Sequence, residues 1–136
     1  MSRAILVGLF LFFLAGCQLP PEQVPLKPLP QDGPPQGYAD LVNRARVQAG
    51  AANEAFYVNK WADLEDVAKS LEQTATYLSK APDVPARHKG LLPAETADLT
   101  KDAKLLGDAA KAQDVKQANE ILQRIHFKVR ELRPDN

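Results

Sequence analysis

Apolar residues recur every three or four positions along the chain after residue 37, which is the spacing of one face of an α-helix. The pattern predicts four helices, over about 38–57, 61–80, 91–112 and 115–132. The last is the most regular, with Asp114 and Gln117 placed as a capping box at its start and Pro134 beyond its end. Its inward-facing residues are predicted to be Val115, Ala118, Leu122, Ile125, Val129 and Leu132.

The three earlier helices carry apolar stripes built largely from alanine and leucine. Asn59 is expected to cap the second helix, and Pro93 is tolerated because it falls in the first turn of the third. The residues expected to face inward are Tyr38, Leu41, Ala45, Ala49, Ala52 and Phe56 in the first helix, Trp61, Leu64, Ala68, Leu71, Ala75 and Leu78 in the second, and Leu92, Leu99, Ala103, Leu106 and Ala110 in the third.

Segment 81–90, between the second and third helices, contains two prolines and a glycine and is predicted to be an exposed connection. Helices of about 20 residues joined by short connections pack best antiparallel. The predicted fold is therefore all-α, an antiparallel up-down-up-down four-helix bundle over residues 38–136, following a signal peptide and a proline-rich linker.

The N-terminal residues follow another pattern, that of an export signal. Arg3 precedes an apolar run that is too short for a stable membrane span and ends in small residues before Cys17. The stretch Leu14-Ala15-Gly16-Cys17 resembles the lipobox of bacterial lipoproteins. The resemblance implies that residues 1–16 are removed and that Cys17 receives a diacylglycerol and becomes the acylated N-terminus, with palmitate among its acyl chains. An ordinary signal or an uncleaved anchor with an incidental cysteine is the alternative.

The lipobox implies a location as well. Acylated Cys17 would hold the protein on a membrane of the bacterial cell envelope, facing the periplasm, and Gln18 in place of aspartate implies the outer rather than the inner membrane. Residues 17–37 are rich in proline, so they are predicted to form a tether rather than a helix. About 20 residues of polyproline II would reach ~60 Å from the bilayer.

Composition and charge exclude several classes of site. The net charge is zero, which argues against a nucleic-acid partner, and the single cysteine excludes an internal disulfide and a cysteine-based zinc site. His88 and His126 are far apart and neither belongs to a metal-binding motif, so no metal is predicted. No glycine-flanked serine, phosphate loop or free thiol remains in the mature chain, and we expect the protein not to be an enzyme.

Aromatic and basic residues offer the remaining surface candidates. His88 lies between Arg87 and Lys89 in a loop that is expected to be solvated, with an anionic partner as the alternative. Trp61 is expected to be a core anchor and Tyr77 to be partly exposed. An exposed aromatic patch for a partner is a further alternative, and its members would be Tyr38, Phe56, Tyr57 and Phe127.

His126 lies about 70° from the centre of the last helix's apolar stripe, on its edge, whereas Phe127 points nearly away from the stripe. Residues 110–126, AKAQDVKQANEILQRIH, resemble the last helix of the bacterial four-helix-bundle cytochromes, the cytochrome c prime proteins and the soluble b-type cytochrome of the same fold. In that family a histidine near the end of the last helix binds haem and is followed four residues later by an arginine. The resemblance implies that His126 would bind haem and that Arg130, four residues later, would belong to the same haem site.

The chain departs from that family at its other haem anchors. Leu122 and Ile125 stand where the c-type members have the two cysteines that bind haem covalently, and Met1, the only methionine, leaves with the signal. We therefore expect a membrane-anchored lipoprotein that has lost covalent haem attachment, binds no cofactor and has a structural or protein-binding role with an unknown envelope protein. The alternative is a non-covalent b-type haem protein with His126 as proximal ligand, for electron transfer or gas binding.

Self-association is a third possibility, because the family often forms dimers through its first two helices. A homodimer would need an apolar patch on the exposed side of residues 38–80. Tyr57, Val58 and Tyr77 are its candidate members.

Overall fold

The computed structural model describes residues 28–30 and 33–134, and within these ranges all regular structure is helical. The elements are α1 (Tyr38–Tyr57), α2 (Trp61–Leu78), the short α3 (Ala86–Lys89), α4 (Leu92–Ala112) and α5 (Val115–Glu131). The all-α class is confirmed, and the four predicted helices correspond to α1, α2, α4 and α5. The predicted signal peptide, Cys17 and most of the tether lie outside the described residues.

The long helices pack around one core of small and aliphatic side chains. α1 contacts α2 and α5, α4 contacts α2 and α5, and the contact between α2 and α4 is the most extensive. Small residues allow close approach there, since a Cβ built on Gly107 of α4 would lie 3.8 Å from the Cβ of Ala68 of α2. None of the helices in the described ranges combines the length and apolarity that crossing a bilayer requires.

Almost every residue predicted to face inward is buried in this core. Phe56 and Trp61 are half-buried and pack against its edge. Val115 is the one predicted core residue that is exposed, by 58%. The prediction is wrong because Val115 is the first residue of α5, on the turn after α4, and the buried positions of α5 begin one turn later, at Ala118.

The turns between helices explain where the helices begin. Asn59 has a φ of 56°, a left-handed conformation that asparagine tolerates, and Lys60 occupies the N-cap position of α2 without a side-chain cap bond. The prediction that Asn59 caps α2 is therefore wrong. Asp114 does cap α5, since its Oδ1 accepts a hydrogen bond of 2.9 Å from the Gln117 backbone N–H.

Three distant parts of the chain meet at one end of the molecule, which we call the Tyr38 end. The Tyr38 backbone N–H donates to Asp83 Oδ1 at 2.7 Å, and its hydroxyl donates to the carbonyl of Leu132 at 2.6 Å. Arg87 Nη2 donates to the carbonyl of Arg133 at 2.6 Å. The start of α1, the connection before α4 and the residues after α5 are thereby joined.

Segment 81–90, the connection at the Tyr38 end, contains more regular and buried structure than its prolines and glycine indicate. It contains α3, and His88 is buried with its ring stacked on that of Tyr38 at a centroid distance of 5.6 Å. The interpretation of His88 as a solvated loop residue is therefore wrong. Its Nε2 lies 3.1 Å from Arg87 Nε and 3.0 Å from the carbonyl of Arg133, so His88 belongs to the same polar junction.

Candidate functional site

His126 lies on the edge of the buried stripe of α5, as the pattern predicts, and its side chain is half-buried. Its Nε2 is enclosed and has no hydrogen-bond partner among the described residues. A buried ring nitrogen without a partner is unusual, because most buried polar atoms in folded proteins make at least one hydrogen bond. A ligand could therefore supply the interaction that Nε2 lacks.

The surroundings of His126 do not fit a porphyrin as they stand. Leu122, Ile125 and Val129, on the neighbouring turns of α5, are almost completely buried in the core. A planar macrocycle could reach the ring nitrogen only by displacing part of this packing, and interiors are packed too densely for that to be without cost. The site would therefore have to open before haem could bind.

Arg130 and Phe127 interact with each other on the outer side of α5. The Cζ of Arg130 lies 5.1 Å from the centroid of the Phe127 ring, in a cation–π geometry. Phe127 is exposed, so the guanidinium covers part of an aromatic face that the core does not bury. The structure therefore gives Arg130 a role on the surface of the helix that is independent of any cofactor.

A buried carboxylate joins α4 to α5. The side chain of Asp102 is only 5% exposed, and its Oδ1 accepts from Arg124 Nε and Nη2 at 3.1 and 3.0 Å. Its Oδ2 accepts from Lys128 Nζ at 2.7 Å. Burial acts to raise the pKa of Asp102, but the hydrogen bonds from Arg124 and Lys128 outweigh it and hold the pKa below its usual range. Such a carboxylate stays ionised and acts as a crosslink between helices.

A cleft of about 300 Å³ lies between α1 and α2, at the end of the molecule opposite Tyr38, which we call the Trp61 end. Its lining includes the apolar side chains of Ala55, Val58 and Val67. Three carboxylates and one ammonium group also border it, from Glu54, Asp63, Asp66 and Lys60. Lys60 Nζ lies 3.7 Å from Asp63 Oδ2, and the other two carboxylates make the local balance of charge acidic.

Exposed apolar side chains stand beside this cleft. Tyr57 is 74% exposed and Val58 55% exposed, so both remain candidate members of a contact surface. Phe56 packs edge-on against Trp61, with ring centroids 5.9 Å apart and planes at 85°, and it also contacts Tyr57. Tyr38 does not join any aromatic surface, because it is buried at the opposite end of α1. The aromatic residues near the cleft thus come from the last two residues of α1, Phe56 and Tyr57, and from the first residue of α2, Trp61.

Part of the proline-rich segment packs onto α2. Leu29 is only 9% exposed, its N–H donates to Gln73 Oε1 at 3.0 Å, and Gln73 Nε2 donates to its carbonyl at 3.1 Å. The Tyr77 hydroxyl donates to the carbonyl of Pro30 at 3.0 Å, and Tyr77 is partly buried, as predicted. Gln73 and Tyr77 are one turn apart, so they share a face of α2. Composition alone did not predict this contact.

Within the described ranges, no three histidine, cysteine, aspartate or glutamate side chains lie close enough together to hold a metal ion. Comparison of the chain with models of protein families, with curated proteins and with solved structures gives no significant match in any of the three.

Proposed function

We propose that this chain is a bacterial lipoprotein that binds a protein partner in the cell envelope and catalyses no reaction. The lipobox-like stretch Leu14-Ala15-Gly16-Cys17 supports the anchor: acylated Cys17 would hold the chain on a membrane, with Gln18 favouring the outer membrane. Residues 38–136 would then face the periplasm as a cytochrome-like bundle that has lost covalent haem attachment.

We further propose that the bundle has an up-down-up-down arrangement. The proposal is supported by the contacts of α1 with α2, α2 with α4, α4 with α5 and α5 with α1, because each helix of such a bundle packs against two neighbours. The hydrogen bond between the Tyr38 hydroxyl and the carbonyl of Leu132 supports the same arrangement, because it joins the start of the first long helix to the end of the last.

The partner-binding role is carried by one observation, the exposed Tyr57 and Val58 beside an acidic cleft. On α2 the cleft is lined by residues from Asp63 to Ser70, so at ~1.5 Å per residue Asp66 lies about 16 Å along the helix from Tyr77, where the proline-rich segment packs. A membrane anchor at the Tyr38 end would leave the cleft accessible to a partner.

Charge indicates the chemistry of the partner. Glu54, Asp63 and Asp66 outnumber Lys60 at the rim, while Val58 and Val67 supply apolar surface. The best complement is an apolar side chain flanked by lysine or arginine, since the first fills the cleft and the second faces the carboxylates.

A substitution at the cleft tests this role. Val58→Asp should abolish co-purification of the partner with the affinity-tagged full chain from envelope membranes, because a carboxylate would replace the apolar contact. Leu91→Asp is the matched control, since Leu91 is an exposed leucine at the Tyr38 end. Identical sets of co-purifying proteins for the unmodified chain and both variants would reject the cleft as a binding site.

The same surface could join two copies of the chain into a homodimer, and this arrangement has its own readout. Analytical ultracentrifugation of the full chain in detergent would show a dimer that Val58→Asp dissociates and Leu91→Asp does not. A monomer at all concentrations would leave a different protein as the partner.

The anchor is tested separately by Cys17→Ser. We expect the unmodified chain to remain with the membrane fraction and to begin at an acylated Cys17, as shown by the mass of its N-terminal peptide. Cys17→Ser should remain an uncleaved precursor without the added acyl mass. An unmodified chain that begins at another residue, or that carries no acyl group, would contradict the lipoprotein assignment.

The second candidate function is non-covalent haem binding, which is favoured by the Nε2 of His126, enclosed and without a hydrogen-bond partner in the described part of the chain. Bound haem would supply a redox-active iron with His126 as proximal ligand. Haemin titration of the full chain followed by absorbance tests it, with His126→Ala and His88→Ala compared. A saturable Soret band that only His126→Ala removes would establish haem binding, and identical spectra for all three chains would exclude it.

A further inference from the structure

Gln73 and Tyr77 form a small docking site for extended backbone, which we call the Gln73–Tyr77 clasp. The side-chain amide of Gln73 donates to and accepts from the same residue, Leu29, at 3.1 and 3.0 Å. In an antiparallel β-sheet, a residue of the neighbouring strand makes the same pair of hydrogen bonds, one donated and one accepted. The Tyr77 hydroxyl adds a third bond, of 3.0 Å, to the next carbonyl, that of Pro30.

The clasp suits a segment that contains proline on both sides of one anchor residue. Pro28 and Pro30 have no backbone N–H, so Leu29 supplies the only backbone donor of the three residues, and Gln73 satisfies it. The leucine side chain is buried against the core while both prolines stay exposed. Proline also restricts the unbound segment to extended conformations, which lowers the entropy that docking must overcome.

We propose that the Gln73–Tyr77 clasp is a binding site for an extended leucine–proline segment, and that residues 28–30 of the same chain are its occupant. If Cys17 is the lipid anchor, as the proposed function holds, the free tether is about 12 residues long rather than about 21. At ~3.1 Å per residue it reaches about 37 Å rather than about 65 Å. The clasp would thus lower the maximum distance between the bundle and the membrane.

Hydrogen exchange at one amide tests the clasp. In the full chain carrying Cys17→Ser, in detergent micelles, the Leu29 amide should exchange at least tenfold more slowly than its intrinsic rate, as measured by NMR. Gln73→Ala should abolish the protection because it removes the acceptor. Gln123→Ala, an exposed glutamine on α5, is the matched control and should leave the protection unchanged.

Three outcomes would overturn the proposal. The Leu29 amide could exchange at its intrinsic rate in the starting chain, or it could be protected equally in Gln73→Ala. Protection that increases with protein concentration would assign the segment to a second copy instead. Cys17→Ser prevents acylation in every sample, so these results do not depend on the lipid anchor. The anchor is tested separately, by the mass of the N-terminal peptide of the unmodified chain, and failure of the clasp would not change that mass.

The type of ligand is tested with a peptide. Leu29→Asp should vacate the clasp, after which the synthetic peptide PLKPLPQ, the sequence of residues 25–31, should shift the Gln73 side-chain amide signals saturably. The control peptide PLKPDPQ should not shift them. Equal effects of the two peptides, or no effect of either, would show that the site does not select a leucine–proline segment.

Discussion

Tyr38 joins three parts of the molecule through one backbone N–H and one side chain. Its ring stacks on buried His88, its N–H donates to Asp83, and its hydroxyl donates to the carbonyl of Leu132 at 2.6 Å. Burial, with a contribution from nearby Glu95, raises the pKa of Tyr38 to about 12, although the positive charge of Arg87 acts in the opposite direction. This residue therefore makes the Tyr38 end sensitive to alkali.

The sensitivity to alkali can be measured. The folded-state pKa of Tyr38 is above the unfolded value of about 10, so its contribution to stability is complete below pH ~10 and is lost as the pH rises through about 12. We expect Tyr38→Phe to lower the free energy of unfolding by about 1–2 kcal/mol at pH 7, because the buried carbonyl loses its donor. Denaturant unfolding between pH 7 and 12 should show a smaller alkaline loss in this variant.

Tyr57→Phe is the matched control, since Tyr57 is exposed. It should change the free energy of unfolding by less than about 0.5 kcal/mol. If both variants lost the same stability, the hydrogen bond to Leu132 would have no special role.

Asp102 gives the opposite dependence on pH. Its folded-state pKa is depressed, so its contribution to stability is present above the unfolded value of about 3.9 and is lost as the pH falls through the folded value. Asp102→Asn should lower the free energy of unfolding by about 2–4 kcal/mol at pH 7, because Arg124 and Lys128 lose their shared carboxylate. Urea unfolding at pH 7 and pH 3 should show a smaller acid loss in the variant.

Asp98→Asn is the control for Asp102. Its carboxylate lies 3.9 Å from the same Lys128 but is 65% exposed, so the substitution should cost less than about 0.5 kcal/mol. A cost equal to that of Asp102→Asn would mean that proximity to Lys128, rather than burial, sets the energy.

Helix α5 depends on its first turn. Asp114→Ala removes the side-chain acceptor for the Gln117 N–H and should lower the free energy of unfolding by about 1 kcal/mol. Asp108→Ala, at an exposed position near the end of α4, should be neutral or slightly stabilising, because a carboxylate there opposes the helix dipole. Thermal unfolding followed by circular dichroism compares the two variants, and equal losses would contradict a capping role.

Helix α1 contains a glycine that its structure does not require. Gly50 lies inside the helix without positive φ, and a Cβ built on it would meet no atom within 4 Å. Gly50→Ala should therefore raise the free energy of unfolding by about 0.5–1 kcal/mol, since alanine has the higher helix propensity.

Gly37→Ala provides the contrast for Gly50→Ala. Gly37 occupies the N-cap of α1, and its added Cβ would lie 3.4 Å from Asp83 Oδ2. No gain is expected there, because alanine is a poor N-cap residue. Chemical unfolding of both variants measures the difference, and a stabilised Gly37→Ala would show that chain entropy alone determines the effect.

The periodic pattern predicts the long helices well because each has a buried stripe several turns long. The bounds of α1 agree with the prediction, and those of α2, α4 and α5 differ by one or two residues at their ends. Local features were harder to predict. α3 is four residues long and too short to show a period, and Asn59 adopts a left-handed conformation where a cap was expected.

The candidate sites were less predictable because they depend on contacts between distant residues. Asp102 interrupts the buried stripe of α4 near Leu99, and Arg124 and Lys128 are four residues apart on α5. Together these features are a signal for a buried ion pair, but only once α4 and α5 are known to be neighbours. The enclosed Nε2 of His126 and the bonds of Leu29 have no comparable signal in the sequence.

At the Tyr38 end of the molecule, the Tyr38 hydroxyl and Arg87 Nη2 donate hydrogen bonds to two consecutive carbonyls, those of Leu132 and Arg133. Tyr38→Phe and Arg87→Ala should therefore be coupled, with a double-mutant interaction energy of about 0.5–1 kcal/mol in urea unfolding. Tyr38→Phe and Asp114→Ala lie at opposite ends of the bundle and should be additive within ~0.5 kcal/mol. Coupling of the same size in both pairs would mean that the two ends are not energetically independent.

Trp61 is the only tryptophan in the sequence, and it is half-buried against Phe56 beside the acidic cleft. Its indole fluorescence is therefore an intrinsic optical reporter of that end of the bundle. A partner that covers Trp61 together with the neighbouring cleft would exclude water from the exposed part of the ring and move the emission maximum to shorter wavelength. Ligand screening could then use the native chain without any attached dye.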